Sequence, residues 1–262
     1  AHKVTVDLDL WPGVLLVKAD NVQLQQVMLN LMLNAFSAMV EVQLNAERRL
    51  IFGGRASFWR TDVDRTAAIL QRALHTVHPQ ARGLRIEYAW VGAPRAGAPL
   101  LVFLHEGLGS LAMWKDYPRV LCQAAGARGL VYSRPGYGHS TPRPAAEKWP
   151  VDFMHRQAHD VLPALLSHLA IDASPWLFGH SDGASIALLY AAAHPDRVAG
   201  VIAVAPHIFV EDVSIRSIDA ARVQYGSTGL RDRLGRYHAY PDSAFWGWND
   251  IWLDPAFRGW SI

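Results

Sequence analysis

The 262-residue chain has little sulfur, little net charge and no uninterrupted apolar run. Its one cysteine, Cys122, excludes an intrachain disulfide. Apolar neighbours (Val120, Leu121, Ala124, Ala125) make that cysteine a packed helix residue rather than a nucleophile. A net charge of +2 is too small to argue for a nucleic-acid partner or an anionic membrane surface. The most apolar stretch, 22–42, is broken by Gln23, Gln25, Gln26, Asn30, Asn34 and Glu41, so it does not read as a membrane span. The N-terminus lacks a basic segment followed by an apolar one, so the expected compartment is the cytoplasm. No internal repeat is present. What the chain has is 51% hydrophobic residues against 18% charged, the balance of a globular protein able to bury a sizeable core.

Three zones follow one another. In residues 1–44, KVTVDLDL alternates as a half-buried strand, Trp11-Pro12-Gly13 turns, and a second strand-like run covers 14–19. Asp20 stands where an N-cap belongs, before a long helix in which Asn30 and Asn34 share one face. Residues 45–82 read as a connector with one amphipathic helix, carrying Val63, Ala67, Leu70, Leu74 and Val77. From about 83 the signals alternate between strand and helix. Strands are expected near 84–91, 100–104, 129–133, 176–178 and 198–205, with helices over 114–125, 155–169 and 182–194. That order predicts an α/β fold with a mainly parallel sheet and helices on both faces. The core spans 83–206, and 207–262 is a helical cap.

The segment ADNVQLQQVMLNLMLNAFSAM (19–39) resembles the N-box helix of the ATP-binding domain of sensor histidine kinases. The resemblance implies a β-β-α fragment and gives Asn34 the place of a residue that helps hold magnesium and ATP phosphates. No DxGxG loop and no later glycine-rich lid accompany it, and one helix cannot supply the backbone donors that cradle phosphates. The expected role of this segment is therefore packing.

The chemistry concentrates in WLFGHSDGAS, 176–185. A strand runs into Gly179-His180-Ser181-Asp182-Gly183 and a helix follows. A serine between two glycines at a strand-to-helix turn is the pattern of a nucleophile elbow, where bulk at either glycine would collide. Upstream, the apolar strand LLVFL runs into HEGLGS, 105–110. A loop there can offer one backbone N–H to a developing oxyanion, from Gly107 or Leu108, while Asp182 offers the other.

HEGLGSLAMW, YSRPGYGHS, GHSDGAS, AAAHPDRV and APHIFVED together resemble the α/β-hydrolase superfamily, its esterase-like and carbon–carbon hydrolase-like members in particular. The resemblance covers 84 to the C-terminus. It implies a serine hydrolase for a carboxylic ester or related small acyl substrate, needing no cofactor and no metal, with a cap rich in tryptophan (Trp246, Trp248, Trp252, Trp260) over the pocket. It also implies an acid after the next strand and a histidine after the last one. Neither is found downstream of FRGWSI, so the chain is expected to stop before the strands that carry them, with impaired activity. The strand at 198–205 then becomes a candidate edge for pairing with a second copy.

Among residues that are present, His194 lies at the far end of the helix after Ser181, roughly 18 Å away by helix rise. His207, after the sixth strand, stands on the correct edge of the sheet as a substitute base, with Glu211 or Asp212 as its acid; His238 in the cap is a weaker candidate. His105, His180 and Trp246 are candidate substrate contacts, the first two also candidate organisers of the loops. Asp182 is expected to matter through its backbone rather than its carboxylate. His155, His159 and Asp160 have ligand-like spacing but no third cluster to complete a metal site. Two other readings stay open: a non-catalytic fusion or fragment, and an ATP-binding signalling module.

Overall fold

A computed structural model describes residues 73–76, 84–93 and 95–262. The expected features of 1–44, including the N-box-like helix, lie outside the described residues, as does most of the connector.

Six strands form one sheet in the order β1-β2-β4-β3-β5-β6. They are β1 (Ala73–Thr76), β2 (Arg85–Val91), β3 (Leu100–Leu104), β4 (Arg128–Tyr132), β5 (Trp176–His180) and β6 (Gly200–Val204). β2 runs antiparallel to β1 and β4, whereas the pairs β3–β4, β3–β5 and β5–β6 are parallel. β1 is a correction: within the stretch 63–77 read as an amphipathic helix, the described residues 73–76 form a strand, paired with β2 from Ala73–Tyr88 to Thr76–Arg85. Apolar spacing over so short a run does not separate helix from strand, and an available sheet edge decides.

The central strands β3 and β4 read as near-continuous apolar runs because both faces are covered. Val102, Leu104, Leu130, Leu177, Ile186 and Ala187 are fully buried in one cluster. Each large side chain buried there contributes about 1.5–3 kcal/mol. Cys122 lies buried on α1 (Tyr117–Ala124), and burial pushes its thiol up to about 12, consistent with a packing role.

The helix expected over 155–169 is a composite: α2 (Phe153–Arg156), a π-helical turn (Gln157–Val161) and α3 (Leu162–His168). Pro163 brings no N–H to the ladder, and the wide turn just before it absorbs the mismatch. After α4 (Asp182–Ala193) and β6 come α5 (Asp212–Ser227), α6 (Leu230–Leu234) and α7 (Pro241–Trp252), in the segment expected to form a cap, termed the cap segment. These helices carry a small core of their own, Tyr225, Leu234 and Phe245. Among the described residues β6 pairs on one side only, and no helix is long and apolar enough to cross a membrane.

Candidate active site

Ser181 ends β5 and caps α4 with φ 52° and ψ −121°. A serine held in the left-handed region costs of order 1–3 kcal/mol and persists only where its surroundings impose it. They do so here. The Ser181 N–H donates to the Val204 carbonyl of β6 at 2.9 Å. A Cβ at Gly179 would collide with the Gly183 carbonyl, and one at Gly183 with the Leu104 carbonyl. Both flanking glycines are therefore obligatory, because backbone crosses backbone where a side chain would sit. Ala205, φ 46°, is a second non-glycine residue in that region, two positions before His207.

His207 reaches the serine. Its Nε2 lies 3.0 Å from Ser181 Oγ. Ser185, one helical turn beyond Ser181 and fully buried, fixes the histidine backbone: its hydroxyl accepts from the His207 N–H at 2.9 Å and donates to the His207 carbonyl at 2.5 Å. The Trp252 ring packs edge-on against the imidazole at 4.6 Å. For Nε2 to accept the serine proton, Nδ1 must carry its own, and Nδ1 is buried with no hydrogen-bond partner among the described residues. The acid expected at Asp212 is not there. Its carboxylate is mostly exposed and paired with Arg258 at 2.5 Å, drawn outward by that guanidinium.

On the other side of Ser181 lies the loop after β3. Neither the Gly107 N–H nor the Asp182 N–H donates to any group among the described residues. The Leu108 carbonyl is turned to the cap, where it accepts from His238 Nε2 at 3.0 Å. His238 Nδ1 accepts from the Gly138 N–H at 2.9 Å, so the cap histidine binds two core loops at once. Burial pushes the His238 imidazole below its ordinary value and keeps it neutral for that task.

His105 is corrected from substrate contact to scaffold. It is fully buried, its Nε2 accepts from the Arg134 N–H at 3.0 Å, and its Nδ1 donates to the Glu106 carbonyl at 2.7 Å. No polar atom of the ring is left for a ligand. Burial first, then the Arg134 charge, holds it well below the usual imidazole range. His180, partly exposed beside Ser181, faces the Glu106 carboxylate at 3.7 Å. Trp246 is the other residue expected to contact substrate. It packs on Tyr225 and Phe245 inside the cap, whereas Trp248 sits against Gly107, where a Cβ would strike its indole nitrogen. Two residues apart on a helix means nearly opposite faces, so only one of the two tryptophans can meet the loop.

Three contributors were not singled out in the sequence reading: Glu106, Arg134 and Ser185. Ser185 had a signal, being four residues after the nucleophile on a helix. Arg134 had only its place in YSRPGYGHS. Asp182, expected to act through its backbone, also buries its carboxylate completely, with the Arg134 guanidinium 3.8 Å away. Burial raises that carboxyl, while the charges of Arg134 and then His207 pull it down. Among the described residues no group of three or more His, Cys, Asp or Glu could hold a metal ion.

The described region has the α/β-hydrolase fold. A family model described as "alpha/beta hydrolase fold" matches residues 99–225. A carboxylesterase from the ammonia-oxidizing thaumarchaeon Nitrososphaera gargenis is similar in fold, with TM-score 0.53 and 20% identity over 69% of this chain and 72% of the other. A probable hydrolytic enzyme from Pseudomonas aeruginosa gives TM-score 0.52 and 19% identity over 74% of this chain and 69% of the other. Epoxide hydrolase B of Mycobacterium tuberculosis is 32% identical over 123 residues, 47% of this chain and 33% of that protein. The chain thus spans about one third of the length of this curated relative.

Proposed function

We propose that this chain is a serine hydrolase for a small carboxylic ester or related acyl substrate. The observation that carries the reading is Ser181 Oγ, on a strained elbow, 3.0 Å from His207 Nε2. Ser181 Oγ attacks the acyl carbonyl as His207 Nε2 takes its proton. The carbonyl oxygen becomes an oxyanion, held by the N–H groups of Gly107 and Asp182. Collapse expels the alcohol, which leaves with the proton from His207. Water, deprotonated by His207, then attacks the acyl-serine and releases the acid, returning the proton to Ser181.

Turnover is slow in this reading. The Nδ1–H of His207 has no acceptor among the described residues, which costs about 1–3 kcal/mol for a buried donor. Among the described residues no carboxylate accepts a hydrogen bond from the ring, and losing that partner in a full triad costs about four powers of ten.

Serine chemistry also separates esters from epoxides. Attack of Ser181 on an epoxide carbon forms an ether, which water does not cleave, so turnover would stop after one event. An acyl-serine is an ester and hydrolyses. The test is a fluorophosphonate probe with mass mapping, together with turnover of a p-nitrophenyl short-chain ester. Adduct on Ser181, and ester turnover abolished in Ser181→Ala, are expected. Labelling absent or elsewhere, or turnover unchanged in Ser181→Ala, overturns the reading.

The 19–39 segment, outside the described residues, is read as packing helix. ATP then binds no tighter than about millimolar, roughly −4 kcal/mol. Micromolar affinity abolished by Asn34→Ala in calorimetry overturns that.

A further inference from the structure

The Glu106 carbonyl is held from three directions. It accepts from His105 Nδ1 at 2.7 Å, from Arg134 Nη2 at 2.8 Å and from the Gly109 N–H at 3.0 Å. That carbonyl belongs to the same planar peptide as the Gly107 N–H, which has no protein acceptor among the described residues. A trans peptide points its N–H opposite to its C=O, so gripping the oxygen aims the hydrogen. A cation donating to the oxygen also draws electrons through the amide and strengthens the N–H as a donor.

Arg134 is fully buried, and its Nη2, besides donating to the Glu106 carbonyl, lies 3.8 Å from the Asp182 carboxylate. The guanidinium stacks over the Tyr137 ring at 4.8 Å, which fixes its plane. Arg134 also donates its own N–H to His105 Nε2 at 3.0 Å. An N–H can only donate, so Nε2 accepts and Nδ1 bears the proton given to Glu106. One residue therefore grips the peptide of Gly107, sets the histidine tautomer that grips it too, and attracts the side chain of Asp182. Gly107 and Asp182 are the two oxyanion donors named above. Burying a guanidinium whose Nε and Nη1 have no partner among the described residues is costly, and packing alone does not call for it.

We propose that Arg134 is a positioning residue for the oxyanion hole, polarising the Glu106–Gly107 peptide and anchoring the Asp182 side of the elbow. The proposal rests on the hydrolase reading and deepens it.

The test uses the full chain with two changes: Arg134→Lys, and Arg134→Met combined with Asp182→Asn, which leaves no lone buried charge. The first readout is fluorophosphonate labelling of Ser181. Loss of a whole oxyanion donor costs about 100–1,000-fold, so weakening one is expected to cut the maximal labelling rate by about 10–100-fold, with probe affinity within about twofold. Arg134→Lys keeps a cation and is expected to fall between wild type and the double variant. The second readout needs no activity. Glu106–Gly107 is the only Glu-Gly pair in the sequence, so carbonyl-13C glutamate with 15N glycine isolates that one peptide by NMR. Its amide nitrogen is expected to move upfield in the double variant while the glycines distant from the site stay put. An unchanged labelling rate in both variants, or a loss of rate with the Gly107 signal unmoved, overturns the proposal. No labelling of the wild type overturns the hydrolase reading instead, and the Gly107 signal then decides the peptide polarisation by itself.

Discussion

The two sides of Ser181 are built to different standards. On the proposed oxyanion side the loop is held from several directions: the Glu106 carbonyl has three donors, His105 uses both nitrogens, and the segment after β6 meets the loop through His238 and Trp248. On the base side His207 is held well by its backbone, through Ser185, but among the described residues its ring meets only Ser181 Oγ and the Trp252 ring as hydrogen-bond and aromatic partners. The contrast follows from the place of the strands in the sheet. The oxyanion side joins loops after β3, β4 and β5 that parallel pairing brings side by side, whereas His207 hangs from β6, which is paired on one side only among the described residues. In the proposed reaction this difference separates two abilities: the donor side is preorganised to receive oxyanion charge, while the base that must move the proton is under-supported.

The largest expected effect breaks the weaker side. His207→Ala should lower ester turnover by about 100- to 10,000-fold with a small change in KM, since it removes proton transfer and leaves binding. Initial rates on a p-nitrophenyl ester check this. Turnover unchanged by His207→Ala would mean that the 3.0 Å contact does no chemistry.

Next in size is a break on the well-built side. Gly183→Ala drives a methyl into the Leu104 carbonyl and should destabilise the fold by about 3 kcal/mol or more, seen as a large drop in thermal midpoint. Denaturation indistinguishable from wild type would contradict the tight crossing of the elbow over β3.

The pH dependence of stability comes third. His105 and His238 are both depressed in the folded state by burial, so the unfolded chain binds protons first as pH falls. Their contribution is complete above the unfolded value of about 6.5 and is lost progressively below it, toward the lower folded values. Two such groups should remove about 1–2 kcal/mol between pH 7 and 5.5, measured by urea unfolding. His238→Gln should flatten the slope, while a slope steepening above pH 7 would have the wrong sign.

The smallest effect is the most discriminating for the base side. Asp212→Ala should change turnover less than about twofold and stability within about 0.5 kcal/mol, because its partner is the exposed Arg258 rather than His207. A large loss of activity would restore Asp212 as the missing acid.

How much of this was legible depends on the range of the contact. The elbow was readable because its requirements are local: Gly179, Ser181 and Gly183 lie within five residues at one strand-to-helix turn. The order of strands from 84 onward was readable because apolar runs and turns alternate in sequence. β1 was not, since only the presence of the β2 edge turns 73–76 into a strand. Trp246 and Trp248 could not be told apart either, because helix phase relative to the loop is set by how the cap docks.

The sequence by itself determined the mainly parallel sheet and the place of the Gly179-His180-Ser181-Asp182-Gly183 elbow, on which the proposed nucleophile sits. These follow from short-range sterics: a small residue is needed where backbone crosses backbone, and a pattern of burial is written along each strand. Only the tertiary structure decided that His207 is the histidine in reach, that Asp212 turns outward to Arg258, and that buried Arg134 stands behind the oxyanion loop. Those choices depend on contacts across 26, 46 and 28 residues of chain, where direction and distance come from packing and no local pattern records them.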